Sequence, residues 1–260
     1  AWELLVIEYA KEHECQAHEA EQQIIKKHVS SYVPASSDDA CGKIKGFFDF
    51  GFQDVISLNF DLLKRLQGVK LAALNNKTES KYSLPLYRHF KYSNIGGGQC
   101  KIWFPHGDIG RKDTIKLGLS SYGKYIERIN QEFLKYKQVE NQRGYDFDLS
   151  AYGQTHDLSW AFLFIRQPLL FLGCGLSDSE WLMKWLIIQR EKNYSCYPEY
   201  APPVFILADS QDYCKLKKYE AFGCSLLYCE NYEKGWDKLS LLFTSAECDE
   251  HLHDNGCNSI

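Results

Sequence analysis

Polar and glycine residues follow three separate apolar runs of this sequence, at positions where strands are predicted to end. They are Asn59 and Asp61, His106 and Gly107, and Gly173, Gly175 and Ser177. In an open α/β sheet, side chains that follow the carboxyl ends of parallel strands face the crevice in which ligands bind. A helix N-terminus behind two glycines can also hold a phosphate group through its unpaired backbone amides. The three groups together therefore predict one ligand site at a single edge of a sheet.

Each of the three groups also has a purely structural interpretation. Asp61 is suited to be the N-cap of a helix over 62–67, with Asn59 as a turn residue. A single histidine after a strand, such as His106, often serves the fold alone. Glycines at a strand-to-helix turn, such as Gly173, often serve the turn itself. The residues alone leave both interpretations open for each group.

The elements predicted around these residues alternate between short apolar strands and helices. Predicted strands cover 55–58, 102–104, 115–119, 169–172, 204–207 and 226–229, and predicted helices cover 61–68, 122–136, 158–165, 181–189, 213–222 and 236–243. Continuous apolar strands alternating with helices indicate a parallel sheet. The predicted fold class is therefore α/β, a Rossmann-like parallel sheet with helices on both faces. We expect the strands that begin near Val55, Leu169 and Val204 to be neighbours or near neighbours in that one sheet.

The sequence predicts three segments along the chain. Residues 1–50 form a helical N-terminal segment, in which the helix from Trp2 to Tyr32 has a solvated middle. Residues 51–246 form the α/β domain, and residues 247–260 form a polar tail.

Composition and charge argue against several classes of protein. The net charge of -4 provides no basic field for a phosphate backbone, so nucleic acid is not a predicted partner. There is no signal-peptide pattern, and no apolar run approaches the ~20 residues that a membrane span needs. The ten cysteines include no C-x-x-C pair, so we expect no zinc site. Free thiols in a reducing cytoplasm are the simplest account of them.

Three motifs of this sequence resemble those of the sirtuin-like domains that consume NAD. Ser57-Leu-Asn59-Phe-Asp61 is similar to the Thr-x-Asn-x-Asp motif of that family, and Pro105-His106-Gly107-Asp108 is similar to its His-Gly motif. Phe171-Leu-Gly173-Cys-Gly-Leu-Ser177-Asp178 resembles the Phe-x-Gly-x-Ser-x-x-Asp stretch of the bacterial antiphage branch. The resemblance extends from Asp54 to the terminal helix.

The resemblance implies that NAD is the substrate and that no metal takes part. Breaking the bond between nicotinamide and ribose passes through a cationic sugar, where the amide of Asn59 would hold the ribose or the attacking water. The base would be His106, because imidazoles titrate near neutral pH. The residues that the resemblance assigns to NAD binding are Ser57, Asp61, Gly107, Gly173, Gly175, Ser177 and Asp209.

The implied binding roles differ among these residues. Asp61 would orient Asn59 or face the nicotinamide amide. Gly173 and its loop would meet a phosphate or the adenosine ribose. Asp209, just past the predicted strand over 204–207, would accept a hydrogen bond from a ribose hydroxyl.

Two departures from the family pattern bear on the function. The opening strand and the Gly-Ala-Gly type of loop, which hold the NAD diphosphate in the family, are not seen before Asp54, so this element either lies upstream of Ala1 or is lost in this chain. The four-cysteine zinc module of protein-deacylating sirtuins is also missing, which favours the bacterial defence branch of NAD hydrolases. The resemblance therefore implies a cytoplasmic defence effector that cleaves NAD on activation in abortive infection, as a homo-oligomer or with a fused or associated sensor. The alternative is a catalytically inactive domain that senses a nucleotide or a phage protein, or acts as a scaffold.

Overall fold

The chain divides into two compact units, and each is described by itself. The computed structural model describes residues 2–31, 46, 48, 50–62, 70–71, 86–87, 89–93, 98–143, 158–177 and 180–253. Unit 1 comprises Ala1–Lys45 and Gly51–Leu163, and unit 2 comprises Gly46–Phe50 and Phe164–Ile260.

The N-terminal segment folds as two helices, α1 over Trp2–Glu12 and α2 over Ala17–Ser31. The prediction of a single helix is therefore wrong, because the chain turns between them at Glu14, where φ is 49°. The backbone N–H of Gln16 donates to Oε2 of Glu19 at 3.2 Å, so a side chain caps the start of α2. The buried residues that α1 and α2 share are Val6, Ala20 and Ile24.

Unit 1 contains a four-stranded mixed sheet. Its strands are β1 (Asp54–Ile56), β2 (Lys70–Leu71), β3 (His89–Ser93) and β4 (Gln99–Trp103), in the order β1-β4-β3-β2. Strands β1 and β4 are parallel, whereas β3 is antiparallel to both β2 and β4. Because β1 and β4 are parallel, the loops that follow them leave the sheet at the same edge.

A long helix, α3 over Leu119–Arg143, follows a 3₁₀ turn at Lys112–Thr114. The predicted strand over 115–119 is wrong, because this stretch joins the turn to the helix. Its apolar character instead reflects the burial of Ile115 against Ile25 and Ile109. The predicted helix over 122–136 is confirmed.

Unit 2 contains a three-stranded parallel sheet in the order β5-β6-β7. The strands are β5 (Leu169–Phe171), β6 (Val204–Ala208) and β7 (Cys224–Tyr228). The helices from residue 160 onward are α4 (Trp160–Arg166), α5 (Trp181–Tyr194), α6 (Tyr213–Leu216) and α7 (Tyr232–His253), with 3₁₀ turns at Pro198–Tyr200 and Lys217–Phe222. Parallel neighbours need a crossover connection, and α5 and α6 lie in the two connections here.

The described elements make the protein an α/β protein. The predicted single sheet is wrong for the described strands, because β1 pairs with β4 in one sheet while β5 and β6 pair in another. The first sheet could not be predicted from the sequence because β3 is a polar strand, in which only Phe90 is buried. Within the described residues, none of the helices combines the length and the apolar composition required to cross a bilayer.

Arg190 on α5 joins two distant backbone segments of unit 2. Arg190 is 4% exposed, and its guanidinium donates to the carbonyl oxygens of Ile165 at 2.9 Å and Pro202 at 2.7 Å, and also to that of Phe164. Burial lowers the pKa of this side chain to about 10. The three carbonyl acceptors offset the loss of water around the charge, so Arg190 fixes the end of α4 beside the start of β6.

Several predictions fall on positions that the structure does not describe. The predicted helix over 61–68 is described only as far as Leu62, and Asp178 of the glycine loop also lies outside the described residues. Helix α7 continues into the predicted tail as far as His253, and residues 254–260 lie outside the described residues.

Candidate functional site

The loop after β1 carries Ser57, Asn59 and Asp61. The backbone N–H of Ser57 donates to the carbonyl of Trp103 at 2.8 Å and so extends the pairing of β1 with β4. The hydroxyl of Ser57 accepts from the Asn59 N–H at 3.2 Å and donates to the Asn59 carbonyl at 3.1 Å. Ser57 therefore fixes the turn on which Asn59 is exposed. The Asp61 side chain is 7% exposed, and the helix that it would cap falls mostly outside the described residues.

The loop after β4 makes a tight turn at Gly107. Its φ of 87° and its 3.0 Å hydrogen bond from Gly107 N–H to the Phe104 carbonyl close the turn. A Cβ at position 107 would lie 2.3 Å from the carbonyl oxygen of Thr114. The Thr114 hydroxyl accepts from the Asp108 N–H at 3.1 Å. Only glycine fits here, so Gly107 has a structural role that the sequence pattern did not distinguish from a binding role.

This turn places His106 in a buried position against helix α3. The His106 side chain is 5% exposed, and its carbonyl accepts from the Lys116 N–H at 3.1 Å. Its Nδ1 lies 2.9 Å from the hydroxyl of Tyr122, with the two rings edge to face at 78°. Tyr122 is a partner that the sequence analysis missed, because a contact between a loop and a helix 16 residues later leaves no periodic signal.

A backbone hydrogen bond joins the two loops of unit 1. The Ile109 N–H donates to the Phe60 carbonyl at 2.9 Å. The donor follows His106 by three residues, and the acceptor lies between Asn59 and Asp61. The predicted residues of the first two motifs are therefore brought onto adjoining loops at the carboxyl ends of β1 and β4.

The N-terminal helices pack against these same loops. Ile25 of α2 contacts Ile109 and Ile115 in a core cluster to which Phe60 also belongs. The buried carboxylate of Glu21 accepts from the Gly118 N–H at 3.1 Å, directly before α3. Helix α2 therefore supports both the junction of the loops and the start of the helix that carries Tyr122.

In unit 2, the glycine loop follows β5. Gly173 has φ of 60° and Gly175 is exposed, and among the described residues none comes within 4 Å of a Cβ built at either position. Leu176 takes the unusual φ of 38°, and its carbonyl accepts from the buried hydroxyl of Tyr219 at 3.1 Å. The Ser177 carbonyl accepts from the Glu180 N–H at 2.9 Å. The loop is thus held at Leu176 while Gly173 and Gly175 leave open space beside their backbone.

Asp209 follows β6 and is 9% exposed. Its Oδ1 accepts from the N–H groups of Gln211 at 3.0 Å and Asp212 at 2.9 Å. These bonds form the turn that leads into α6. Because Leu169 to Phe171 pair in parallel with Val204 to Ile206, the glycine loop and Asp209 lie at the same edge of the sheet.

Cys174 lies within the glycine loop, and its thiol is unsuited to act as a nucleophile near neutral pH. Burial, reinforced by the carboxylate of Glu180, raises the pKa of this thiol to about 11. The described residues contain no group of three or more His, Cys, Asp or Glu side chains placed to hold a metal ion.

The predicted site residues form two groups, each gathered at the carboxyl ends of strands within its own unit. The group of unit 1 is Ser57, Asn59, Asp61, His106 and Gly107, and the group of unit 2 is Gly173, Gly175, Ser177 and Asp209. The first group offers an amide, a carboxylate and an imidazole. The second offers backbone groups and a carboxylate.

Comparisons with known proteins add no relative to this description. No family model matches the chain, and no curated protein or solved structure matches it significantly.

Proposed function

We propose that this chain is a sirtuin-like NAD hydrolase, which cleaves NAD to nicotinamide and ADP-ribose when it is activated during phage infection of a bacterial cell. The observation that carries the proposal is the 2.9 Å hydrogen bond from Ile109 to Phe60. It joins the loop of Asn59 and Asp61 to the loop of His106, and these are the residues on which the resemblance rests.

The proposed reaction is the attack of one water molecule on C1′ of the nicotinamide ribose. The bond from C1′ to the nicotinamide nitrogen breaks, and its electron pair leaves with nicotinamide, which departs as a neutral molecule. The water oxygen forms the new bond to C1′ and gives up a proton, which His106 accepts and then returns to solvent. Asn59 holds the water or the ribose hydroxyls without adding charge beside the cationic sugar.

Unit 2, taken by itself, also carries residues that suit a phosphate or a ribose. A Rossmann-like core built on β5, β6 and β7 would present the glycine loop at Gly173 and Gly175 to a phosphate or a ribose. The open space beside both glycines supports this assignment. In the turn of Asp209, one carboxylate oxygen, Oδ1, accepts two backbone N–H groups. The other carboxylate oxygen would accept a hydrogen bond from a ribose hydroxyl.

A second candidate function is a catalytically inactive sensor of a nucleotide or a phage protein. It is favoured by the packing of Ile25 against Phe60 and Ile109. This packing places helix α2 against the loops that carry the candidate residues. A sensor of this kind would bind NAD or a partner and release no nicotinamide.

The test is NAD loss in phage-infected cells that express the chain or its variants at equal levels. Wild-type protein should deplete NAD and release nicotinamide, and Asn59→Ala should reduce the rate by ~10²-fold or more, because positioning of the water is lost. Asn130→Ala is the matched control, since Asn130 is also an exposed asparagine of unit 1 and lies on α3.

His106 needs a conservative variant, because its side chain is buried and contacts Tyr122. His106→Gln keeps a polar group within reach of the tyrosine hydroxyl but removes the base, so it should lose ~10²-fold or more in rate while remaining folded. Unchanged NAD loss in both Asn59→Ala and His106→Gln would contradict the hydrolase. NAD binding without nicotinamide release by the wild type would favour the sensor.

A further inference from the structure

We propose that Tyr122 is a positioning residue, which fixes the tautomer and the ring orientation of His106 so that Nε2 acts as the base. The inference rests on the proposed hydrolase function and adds to it a residue outside the three motifs. The observation that supports it is the 2.9 Å contact between the Tyr122 hydroxyl and Nδ1 of His106.

The direction of this hydrogen bond decides which ring nitrogen can accept a proton. In a neutral imidazole one nitrogen carries hydrogen and the other accepts. If Nδ1–H donates to the Tyr122 oxygen, then Nε2 is the acceptor and can draw a proton from water. If the hydroxyl donates to Nδ1, then Nε2 carries hydrogen and cannot act as the base. The proposed reaction therefore requires Tyr122 to act as the acceptor.

Tyr122 is held firmly enough for this role. Its backbone N–H donates to the Gly118 carbonyl at 3.0 Å, and the Gly118 N–H donates to the buried Glu21 carboxylate at 3.1 Å. On the other side of the contact, the His106 carbonyl accepts from Lys116 at 3.1 Å. Both partners are fixed through their backbones, and the contact between the Tyr122 hydroxyl and Nδ1 of His106 joins them at 2.9 Å.

The partner of His106 here is a neutral phenol. Carboxylates are common partners of a histidine that acts as a base, and they add a negative charge beside the ring. The neutral hydroxyl of Tyr122 orients His106 without such a charge. The edge-to-face arrangement of the two rings, at 78° and 5.6 Å between centroids, adds a second constraint on the imidazole plane.

The chain offers a matched control one turn along the same helix. The hydroxyl of Tyr125 accepts from Nε1–H of Trp160 at 2.9 Å, and the two rings are also edge to face, at 70°. Tyr125 is fully buried. Tyr125→Phe therefore removes a buried tyrosine hydroxyl from α3 and leaves the contact with His106 in place.

The experiment compares Tyr122→Phe and Tyr125→Phe in two measurements. Nitrogen-15 NMR of the histidine side chains in the purified protein reads the tautomer of His106, with His106→Gln used to assign its signals. Initial rates of nicotinamide release, measured over a range of NAD concentrations in lysates of infected cells, give kcat and KM.

We expect wild-type His106 to carry its proton on Nδ1. Tyr122→Phe should shift the signals towards a mixture of tautomers. It should also lower kcat roughly five- to tenfold, which is the factor that the loss of one hydrogen bond represents. KM should change little. Tyr125→Phe should keep the wild-type tautomer and kcat. A wild-type proton on Nε2, or a Tyr122→Phe protein with unchanged tautomer and kcat, would overturn the inference.

The two measurements separate this inference from the proposed function. Absence of nicotinamide release by wild-type protein in infected cells would contradict the hydrolase alone. The NMR comparison needs no turnover, so it still decides whether Tyr122 sets the tautomer of His106.

Discussion

Replacing Gly107 by alanine should disrupt the turn that carries His106, and the structure gives the size of the effect. The new Cβ would lie 2.3 Å from the Thr114 carbonyl oxygen, which must move by about 1 Å to reach the 3.4 Å at which ordinary contact begins. Overpacking of this kind costs ~1–3 kcal/mol. The φ of 87° adds ~1–2 kcal/mol for a residue with a side chain. We therefore expect the free energy of unfolding of unit 1 to fall by ~2–5 kcal/mol.

Two other glycines separate the steric part of this loss from the backbone part. Gly173 has φ of 60°, but no described residue lies within 4 Å of a built Cβ, so Gly173→Ala should cost unit 2 only the backbone term of ~1–2 kcal/mol. Gly175 has neither a positive φ nor a close neighbour, so Gly175→Ala should change the free energy by ~0.5 kcal/mol or less.

Urea unfolding followed by hydrogen exchange measures each unit separately. The amides of β4 report on unit 1, and the amides of β6 report on unit 2. Gly107→Ala should also lose protection at the Lys116 amide, which bonds to the His106 carbonyl at 3.1 Å. Equal losses for Gly107→Ala and Gly173→Ala would refute the argument that close approach to Thr114 fixes the turn.

Two further predictions concern buried groups away from the turn. Arg190→Met should lower the free energy of unfolding of unit 2 by ~3 kcal/mol, because three carbonyl oxygens lose their donor; a loss below ~1 kcal/mol in urea unfolding would contradict this. Burial raises the pKa of the Cys100 thiol to about 12 from an ordinary 9.0. The unfolded chain therefore loses the thiol proton at a lower pH than the folded chain does. The free energy of unfolding should fall as the pH rises from 9.0 towards 12. Cys100→Ala should show a shallower fall over the same range in thermal unfolding, and an equally steep fall would contradict the assignment to Cys100.

The sequence predicted the elements of unit 2 because their signals are local. Strands β5 and β6 are short apolar runs of the kind that parallel strands show. Gly223 was correctly predicted to close the helical stretch over 213–222, and its φ of 71° is the left-handed conformation that ends a helix. The break between α1 and α2 is not predictable in this way, because the polar middle of this segment has the composition of a solvated helix face.

What the sequence could not predict are pairings between distant residues. Strand β3 is defined by its antiparallel register with β4, in which His89 pairs with Trp103 and Phe90 pairs with Ile102, and no apolar alternation marks it. The candidate residues Asn59 and His106 were identified from their places after strands. Their supports, the bond from Ile109 to Phe60 and the contact with Tyr122, became visible only in the folded chain.

The most direct test of the hydrolase is the joint yield of nicotinamide and ADP-ribose from NAD, measured by chromatography and mass spectrometry in lysates of infected cells. The wild-type chain should produce the two products in equal amounts. Asn59→Ala and His106→Gln should produce neither above background, while Asn130→Ala and the exposed-site control His18→Ala on α2 should match the wild type. A wild-type lysate that leaves NAD intact, or an Asn59→Ala lysate that consumes NAD at the wild-type rate, would contradict the proposal.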